Sequence, residues 1–198
     1  MLSENNLAST WFEQFDRWLT DALGADLAEP YAMVVSTATP EGRPGVRSVL
    51  LRGVSEAGFV FHTNYTSRKG RELAANPAAA LLFPWYELRR QVVVDGNIEV
   101  LGAAESDAYW ASRPQGSQLS ALASPQSQVI GSREELEGLR AIMFDKYGTG
   151  PVPRPSHWGG FRVVPTAVEF WQAGTDRMHD RLRYRLNGGT WLVERLAP

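Results

Sequence analysis

From Pro30 onward the chain alternates short apolar, β-branched runs with clusters of turn-forming residues, which confines it to folds built from many short antiparallel strands. The runs are Tyr31–Thr39, Arg47–Arg52, Phe59–Thr63, Ala80–Trp85, Gln91–Val100, Phe161–Val164 and Val168–Trp171. Pro40-Glu41-Gly42 and Ser55-Glu56-Ala57-Gly58 read as turns, and Asn187-Gly188-Gly189 as the tip of a C-terminal hairpin. Asp95-Gly96 reads as a bulge in one long strand, because a turn there would leave very short arms. Helices interrupt the strands. Thr10 and Glu13 have capping-box spacing, and Trp11, Phe15, Trp18, Leu19 and Ala22 follow at helical intervals as far as Gly24. Ser67–Ala75 ends at Asn76-Pro77, Ser106–Arg113 ends at Pro114, and a second capping box, Ser132 with Glu135, opens a helix to about Tyr147. The expected class is α+β, an antiparallel barrel with flanking helices, as one domain over 1–198 with a polar, mobile stretch at 1–8.

Composition narrows function mainly by exclusion. A formal net charge of -2 offers no field for nucleic acid or an anionic membrane. With no cysteine there is no disulfide, thiolate nucleophile or cysteine metal site. Three scattered histidines give no metal spacing. No apolar run approaches the roughly 20 residues that span a bilayer. No signal-peptide pattern opens the chain, so the cytoplasm is expected. Neither a strand–glycine loop–helix unit nor a Walker loop is present, and Arg68-Lys69-Gly70 lacks the full spacing.

The basic residues cluster instead. Arg68 and Lys69, behind Ser67, stand in the opening turn of a helix, where the macrodipole disfavours cations. A bound phosphate would resolve that conflict; a solvated basic turn is the plainer reading. Arg47 and Arg52 fall on opposite faces of a regular strand. One could reach an interior anion, or both could be surface charges. Tyr109 and Arg113 share a helix face, and with Ser117 in the loop beyond they could cradle a second phosphate or form a surface cation–π pair. Arg177, His179 and Arg181 alternate, so an extended chain would carry them on one face, either around an anionic ligand or as charges on a hairpin edge.

Taken together these segments resemble the pyridoxine/pyridoxamine 5'-phosphate oxidase family. The resemblance rests on Arg47-Ser48-Val49-Leu50-Leu51, Thr63-Asn64 with Ser67-Arg68-Lys69, Leu82-Phe83-Pro84-Trp85 and Arg90-Gln91-Val92. It continues through Ser112-Arg113-Pro114 with Ser117-Gln118, Gln126-Ser127, Phe170-Trp171-Gln172, Arg177-Met178-His179-Asp180-Arg181 and the terminal Arg195-Leu196-Ala197-Pro198. It implies a split-barrel homodimer with FMN at the subunit interface. Around the flavin it implies Arg47, Ser48, Val49, Leu50, Leu51, Arg52, His62, Thr63, Ser67, Arg68, Lys69, Gln91, Gln126, Ser127, Trp171 and Arg181. Arg52, Tyr109, Arg113 and Ser117 would hold the phosphate of a phosphorylated pyridine, with Arg177 and His179 on its ring. A hydride would pass from the substrate C4' to flavin N5, and O2 would reoxidise the flavin to give H2O2. A phenazine-type oxidase, a deazaflavin-dependent reductase and a non-catalytic FMN or pyridoxal phosphate binder are the other readings; Tyr109, Arg113 and Ser117 favour the phosphorylated pyridine. The chain departs from the family at Arg52 (usually Lys), Glu29 and His62 (often Asp and Tyr), and has no match for its basic, tyrosine-bearing arm in Met1 to Ser9. Phe83, Trp85 and Trp110 look like more aromatic surface than a monomeric barrel buries, a compositional argument for the dimer.

Overall fold

Helix α1 (Trp11–Gly24) begins where its capping box predicts: Thr10 Oγ1 accepts the Glu13 N–H at 3.1 Å, and the Glu13 carboxylate accepts the Thr10 N–H at 3.3 Å. The computed structural model describes residues 2–198. The apolar stripe of α1 fills the mouth of a curled antiparallel sheet. Phe15 lies edge-on to Phe59 and Phe83, at 4.9 Å each, and Trp18 lies edge-on to Phe170 at 5.2 Å. Such pairs contribute about 0.5–1.5 kcal/mol each beyond the area they bury.

The strands are β1 (Ala32–Ala38), β2 (Pro44–Leu50), β3 (Gly53–Ser55), β4 (Gly58–Asn64), β5 (Ala78–Trp85), β6 (Arg90–Val100), β7 (Trp158–Gln172), β8 (Asp180–Asn187) and β9 (Thr190–Arg195). They join in the order β2-β1-β5-β6-β7-β4-β3, with β8 on β7 and β9 on β8. The two runs read as separate strands at Phe161–Val164 and Val168–Trp171 are one strand, β7. Its register against β6 shifts between Asp95 and Gly96, so Asp95 faces Ala167 while Gly96 faces Pro165. As expected, β6 runs through Asp95-Gly96 as one long strand, but the extra residue of the bulge is Thr166, on the facing strand β7, and not in β6. Proline has no N–H to donate, and a bulge accommodates it. At this point β7 also changes its other neighbour, from β4 to β8, which splits the barrel. Gly96 is required here, because a Cβ would lie 2.3 Å from the Val164 carbonyl.

Helix α2 (Arg68–Ala75) follows β4; α3 (Ala103–Ser112), α4 (Gln115–Ala123) and α5 (Arg133–Tyr147) separate β6 from β7. Helix α4 is absent from the sequence reading, and Ser117 belongs to it rather than to a loop. Pro114 ends α3, but its fixed φ equally suits the start of α4. The second capping box is shifted by one residue. Ser132 Oγ accepts from the Glu135 N–H, while the Glu135 carboxylate accepts from Gly131.

Two expectations are corrected. Phe83, Trp85 and Trp110 are 0%, 2% and 3% exposed in the single chain, so they supply no argument for a dimer. Residues 2–8, expected to be mobile, fold back onto the sheet. Leu2 joins the core, Tyr184 donates its hydroxyl to the Ala8 carbonyl at 2.6 Å, and Glu4 pairs with Arg195 at 2.8 Å. Among the described residues no helix is long and apolar enough to cross a membrane.

Candidate functional site

A cavity of about 640 Å³ opens between the end of β2, β4, α2 and the α3–α4 pair. Its size suits a small organic ligand. Eleven residues expected at the site line it: Ser48, Val49, Leu50, Arg52, His62, Thr63, Lys69, Tyr109, Arg113, Ser117 and Gln126. Strand β4 and helix α2 bring Thr63 and Lys69 together, and Gln126 reaches them from the loop after α4. Ser67 is the fully buried N-cap of α2, accepting the Gly70 N–H and donating to the Asn64 carbonyl.

Lys69 carries the first anomaly. It is 8% exposed, and among the described residues its ammonium donates only to neutral oxygens, Thr63 Oγ1 at 2.9 Å and Gln126 Oε1 at 3.2 Å. Burial, and secondly the nearby Arg47 charge, pull its pKa below the ordinary lysine value. A buried ammonium without a counter-charge is costly unless an anion joins it.

The second anomaly lies across the same cavity. Arg113 caps α3 and donates Nη2 to the Ser117 carbonyl at 3.0 Å, while its Nη1 is buried without a partner. Its guanidinium lies over Trp158 at 4.6 Å and Trp110 at 5.0 Å rather than over Tyr109. Arg52 lies over Tyr109 at 5.8 Å. Burial, followed by the Arg52 charge, draws the Arg113 pKa down. His62 stacks on Tyr109 at 3.9 Å, both ring nitrogens buried and unbonded. Burial, then Arg113 and Arg52, bring its pKa to about 4, so it is neutral at pH 7. Helix α4 starts beside this group with no side-chain cap on its N–H groups. Among the described residues, no ion pair includes Lys69, Arg52 or Arg113.

Arg47 and Arg68 do not line the cavity. Both bind Glu72, a residue absent from the sequence reading: Arg47 Nη2 at 3.1 Å and Arg68 Nε at 2.7 Å. The i,i+4 spacing of Arg68 and Glu72 was the signal for it. Leu51 is a core residue at 3% exposure, and Ser127 is exposed with φ 69°.

The remaining expected residues form a second group on the outer face of the sheet. Gln91 on β6 faces Trp171 on β7, which faces Arg181 on β8. Their strand neighbours Val92, Phe170 and Leu182 point into the core. Glu169 fixes Arg181 through two contacts, at 2.7 and 3.0 Å. The extended segment expected to carry Arg177, His179 and Arg181 on one face does not form. Thr175–Arg177 is a 3-10 turn, with Asp176 at φ 49° and Arg177 at φ 63°, and only Arg181 lies on β8. The turn is closed by its own bonds: Met178 N–H to the Thr175 carbonyl, His179 N–H to the Arg177 carbonyl and Gly174 N–H to His179 Nδ1. Alternation in sequence shows a shared face only where the backbone is regular. The fold brings Gln91, Trp171, His179 and Arg181 together, with the His179 ring 4.7 Å from Trp171, but none of this group lines the cavity.

The fold is that of a split-barrel protein, and its cavity carries two cation groups with no carboxylate among the lining residues. The family model described as pyridoxamine 5'-phosphate oxidase matches residues 19–138, and that of the pyridoxine 5'-phosphate oxidase C-terminal dimerisation region matches 158–198. The chain belongs to the pyridoxamine 5'-phosphate oxidase family. The pyridoxine/pyridoxamine 5'-phosphate oxidase of Salinispora arenicola is 55% identical, with 100% of this chain and 90% of the relative covered. That of Synechocystis sp. is 53% identical, with 100% and 92% covered. Among solved structures, PhzG from Burkholderia lata 383 in complex with tetrahydrophenazine-1-carboxylic acid superposes with a TM-score of 0.94 at 34% identity, covering 100% of this chain and 98% of PhzG. A related FMN-binding protein of Nostoc punctiforme, at 18% identity and a TM-score of 0.78, shares the fold.

Proposed function

We propose that this protein is an FMN-dependent oxidase that converts pyridoxamine 5'-phosphate, pyridoxine 5'-phosphate or both to pyridoxal 5'-phosphate, working as a homodimer. The amine would consume O2 and water and release ammonia and H2O2; the alcohol would consume O2 and release H2O2. The observation that carries this reading is the pair of carboxylate-free cation groups in one cavity. A flavin mononucleotide and a phosphorylated pyridine together present two phosphates, and the cavity offers a place for each. FMN supplies the two-electron acceptor; the protein contributes binding, orientation and field.

The residues fit the cofactor. Lys69, on its neutral platform of Thr63 and Gln126, lacks the anion that a flavin phosphate would provide. Arg113, with an unpaired buried Nη1, stands with Arg52, Tyr109 and Ser117 at the uncapped start of α4, where a substrate phosphate is well placed. The outer-face group, Gln91, Trp171 and Arg181 with Arg177 and His179, is separate from the cavity within one chain. In the dimer the partner subunit's Arg177 and His179 would close over the substrate ring from the other side. Family membership at 55% identity over the whole chain and the dimerisation-region match support this arrangement.

PhzG gives a second reading, in which the ligand is a carboxylic acid on a fused ring system. One assay separates the readings. Purified protein loaded with FMN is mixed under air with pyridoxamine 5'-phosphate, and pyridoxal 5'-phosphate and H2O2 are followed. Equimolar formation of both supports the oxidase. No turnover by flavin-loaded protein overturns it, and turnover of tetrahydrophenazine-1-carboxylic acid alone favours the second reading.

A further inference from the structure

Glu72 is the one acidic residue built into the cationic end of α2. It is 6% exposed, and three donors from three elements meet on its carboxylate. Thr37 of β1 donates its hydroxyl to Oε2, Arg47 of β2 donates Nη2 to Oε2 at 3.1 Å, and Arg68 of α2 donates Nε to Oε1 at 2.7 Å. The network is closed, because Arg47 Nη1 also donates to Thr37 Oγ1, at 2.6 Å. The head groups converge on one point. A Cβ at Gly45 would lie 2.7 Å from Arg47 Nη2, 2.9 Å from Glu72 Oε2 and 3.1 Å from Arg68 Nη2.

A carboxylate in this position has two opposed effects on an arriving anion. Its charge repels the anion. Its hydrogen bonds remove the rotamer freedom of two long side chains, which an anion would otherwise have to freeze on binding. Three features make the second effect dominate. Glu72 takes Arg68 by Nε, and of the two terminal nitrogens only Nη2 has a partner among the described residues, the Pro44 carbonyl at 3.2 Å. The repulsion is already compensated by two guanidinium groups in direct contact. Arg47, Arg68 and Lys69 bring three positive charges and Glu72 one negative, so the cluster holds a net +2. A phosphate monoester carries about −1.5 to −2 at pH 7, which matches that balance.

We propose that Glu72 is a positioning residue for the flavin phosphate: it holds Arg47 and Arg68, neither of which lines the cavity, in fixed places beside Lys69, which does, and sets the cluster's charge to that of one phosphomonoester dianion. This rests on the FMN reading above. The alternative is a purely structural knot that ties α2 to β1 and β2 and would affect every ligand alike.

The test compares FMN with riboflavin, which lacks only the phosphate, by quenching of flavin fluorescence on titration with apoprotein of the wild type, Glu72→Gln and Glu72→Asp. Glu72→Gln replaces one acceptor oxygen by an NH2 group facing other donors. Glu72→Asp keeps the charge and shortens the reach, so it also serves if the amide variant fails to fold. The expected result is an FMN Kd raised about tenfold or more in both variants, with riboflavin Kd unchanged. Unchanged or tighter FMN binding overturns the proposal, as does equal weakening of both flavins. Wild-type protein that binds neither flavin would remove the FMN reading itself, a distinct outcome.

Discussion

The backbone N–H of Gly174 donates to Nδ1 of His179 across 3.2 Å. A ring nitrogen that accepts carries no proton, so neutral His179 holds its proton on Nε2 and presents a donor at that edge. The turn that makes this bond leaves no space at Gly174, where a Cβ would lie 1.8 Å from the Met178 carbonyl. Gly174→Ala should therefore open the turn and release His179. The expected result is a kcat/KM lowered about tenfold or more, equivalent to about 1.4 kcal/mol, with FMN retained. In the wild type, 15N shifts should show the Nε2–H form of His179. A flavin-loaded Gly174→Ala enzyme with wild-type kcat/KM would show that this bond does not position the histidine.

Lys69→Ala removes the buried ammonium of the proposed phosphate site. Loss of a charge-assisted hydrogen bond should weaken FMN binding by about 1.5–3 kcal/mol, while riboflavin is little affected. A pH dependence follows from the downward shift of the free lysine, caused first by burial and then by Arg47. The phosphate favours the charged form, so bound FMN raises this pKa. FMN affinity should fall as pH rises through the free-protein pKa, starting below the ordinary lysine value of 10.5. Calorimetry of FMN binding in buffers of different ionisation heat should show proton uptake in that range, and the uptake should vanish in Lys69→Ala.

How far the sequence carried the argument depended on whether each signal was local. The Thr10–Glu13 capping box and the glycine turn after Asn187 are set by nearby residues, and both were legible; the register shift at Asp95-Gly96 was legible only from the β6 side, because its extra residue, Thr166, comes from the distant strand β7. Helix α4 was not, because Pro114 signals the end of one helix as readily as the start of another. Glu72 went unnoticed because its partners Thr37 and Arg47 are distant in sequence and meet it only when β1 and β2 pack on α2. Alternation misled at Arg177, where two non-glycine residues with positive φ break the extended chain. Residues with positive φ are hard to foresee from residue type when neither is glycine.

His62 makes stability depend on pH. Its folded pKa, about 4, lies below the unfolded value near 6.5, because burial and the charges of Arg113 and Arg52 disfavour the imidazolium. Between those values the unfolded chain binds the proton and the folded chain does not. The stabilising contribution is thus complete above pH 6.5 and is lost as pH falls toward 4. His62→Phe keeps a ring against Tyr109 and removes the titration. The wild-type Tm should drop more steeply than that of His62→Phe between these pH values. Parallel curves would show that another group governs the acid limb.

The separation of the cavity residues from the outer-face group yields the sharpest test of the dimeric site. Lys69 lines the cavity, while Arg177 stands on the exposed turn after β7 and does not. If each active site combines the cavity of one chain with the partner's outer face, Lys69→Ala and Arg177→Ala disable different halves of it. Lys69→Ala should bind FMN about 10- to 150-fold more weakly; Arg177→Ala should keep FMN and lose about tenfold or more in kcat/KM, both assayed at an FMN concentration that fills only the unsubstituted cavity. A heterodimer of the two then has one site carrying both substitutions and one carrying neither. Random pairing at equal expression makes half the dimers mixed, each with one intact site of two, so co-expression should restore about a quarter of wild-type activity. If both groups instead serve a site within one chain, every site in the mixed dimer carries one substitution and activity stays at the level of the single variants. Tagging each chain separately and purifying through both tags isolates the heterodimer, where the expectation rises to about half of wild-type activity with one FMN bound per dimer.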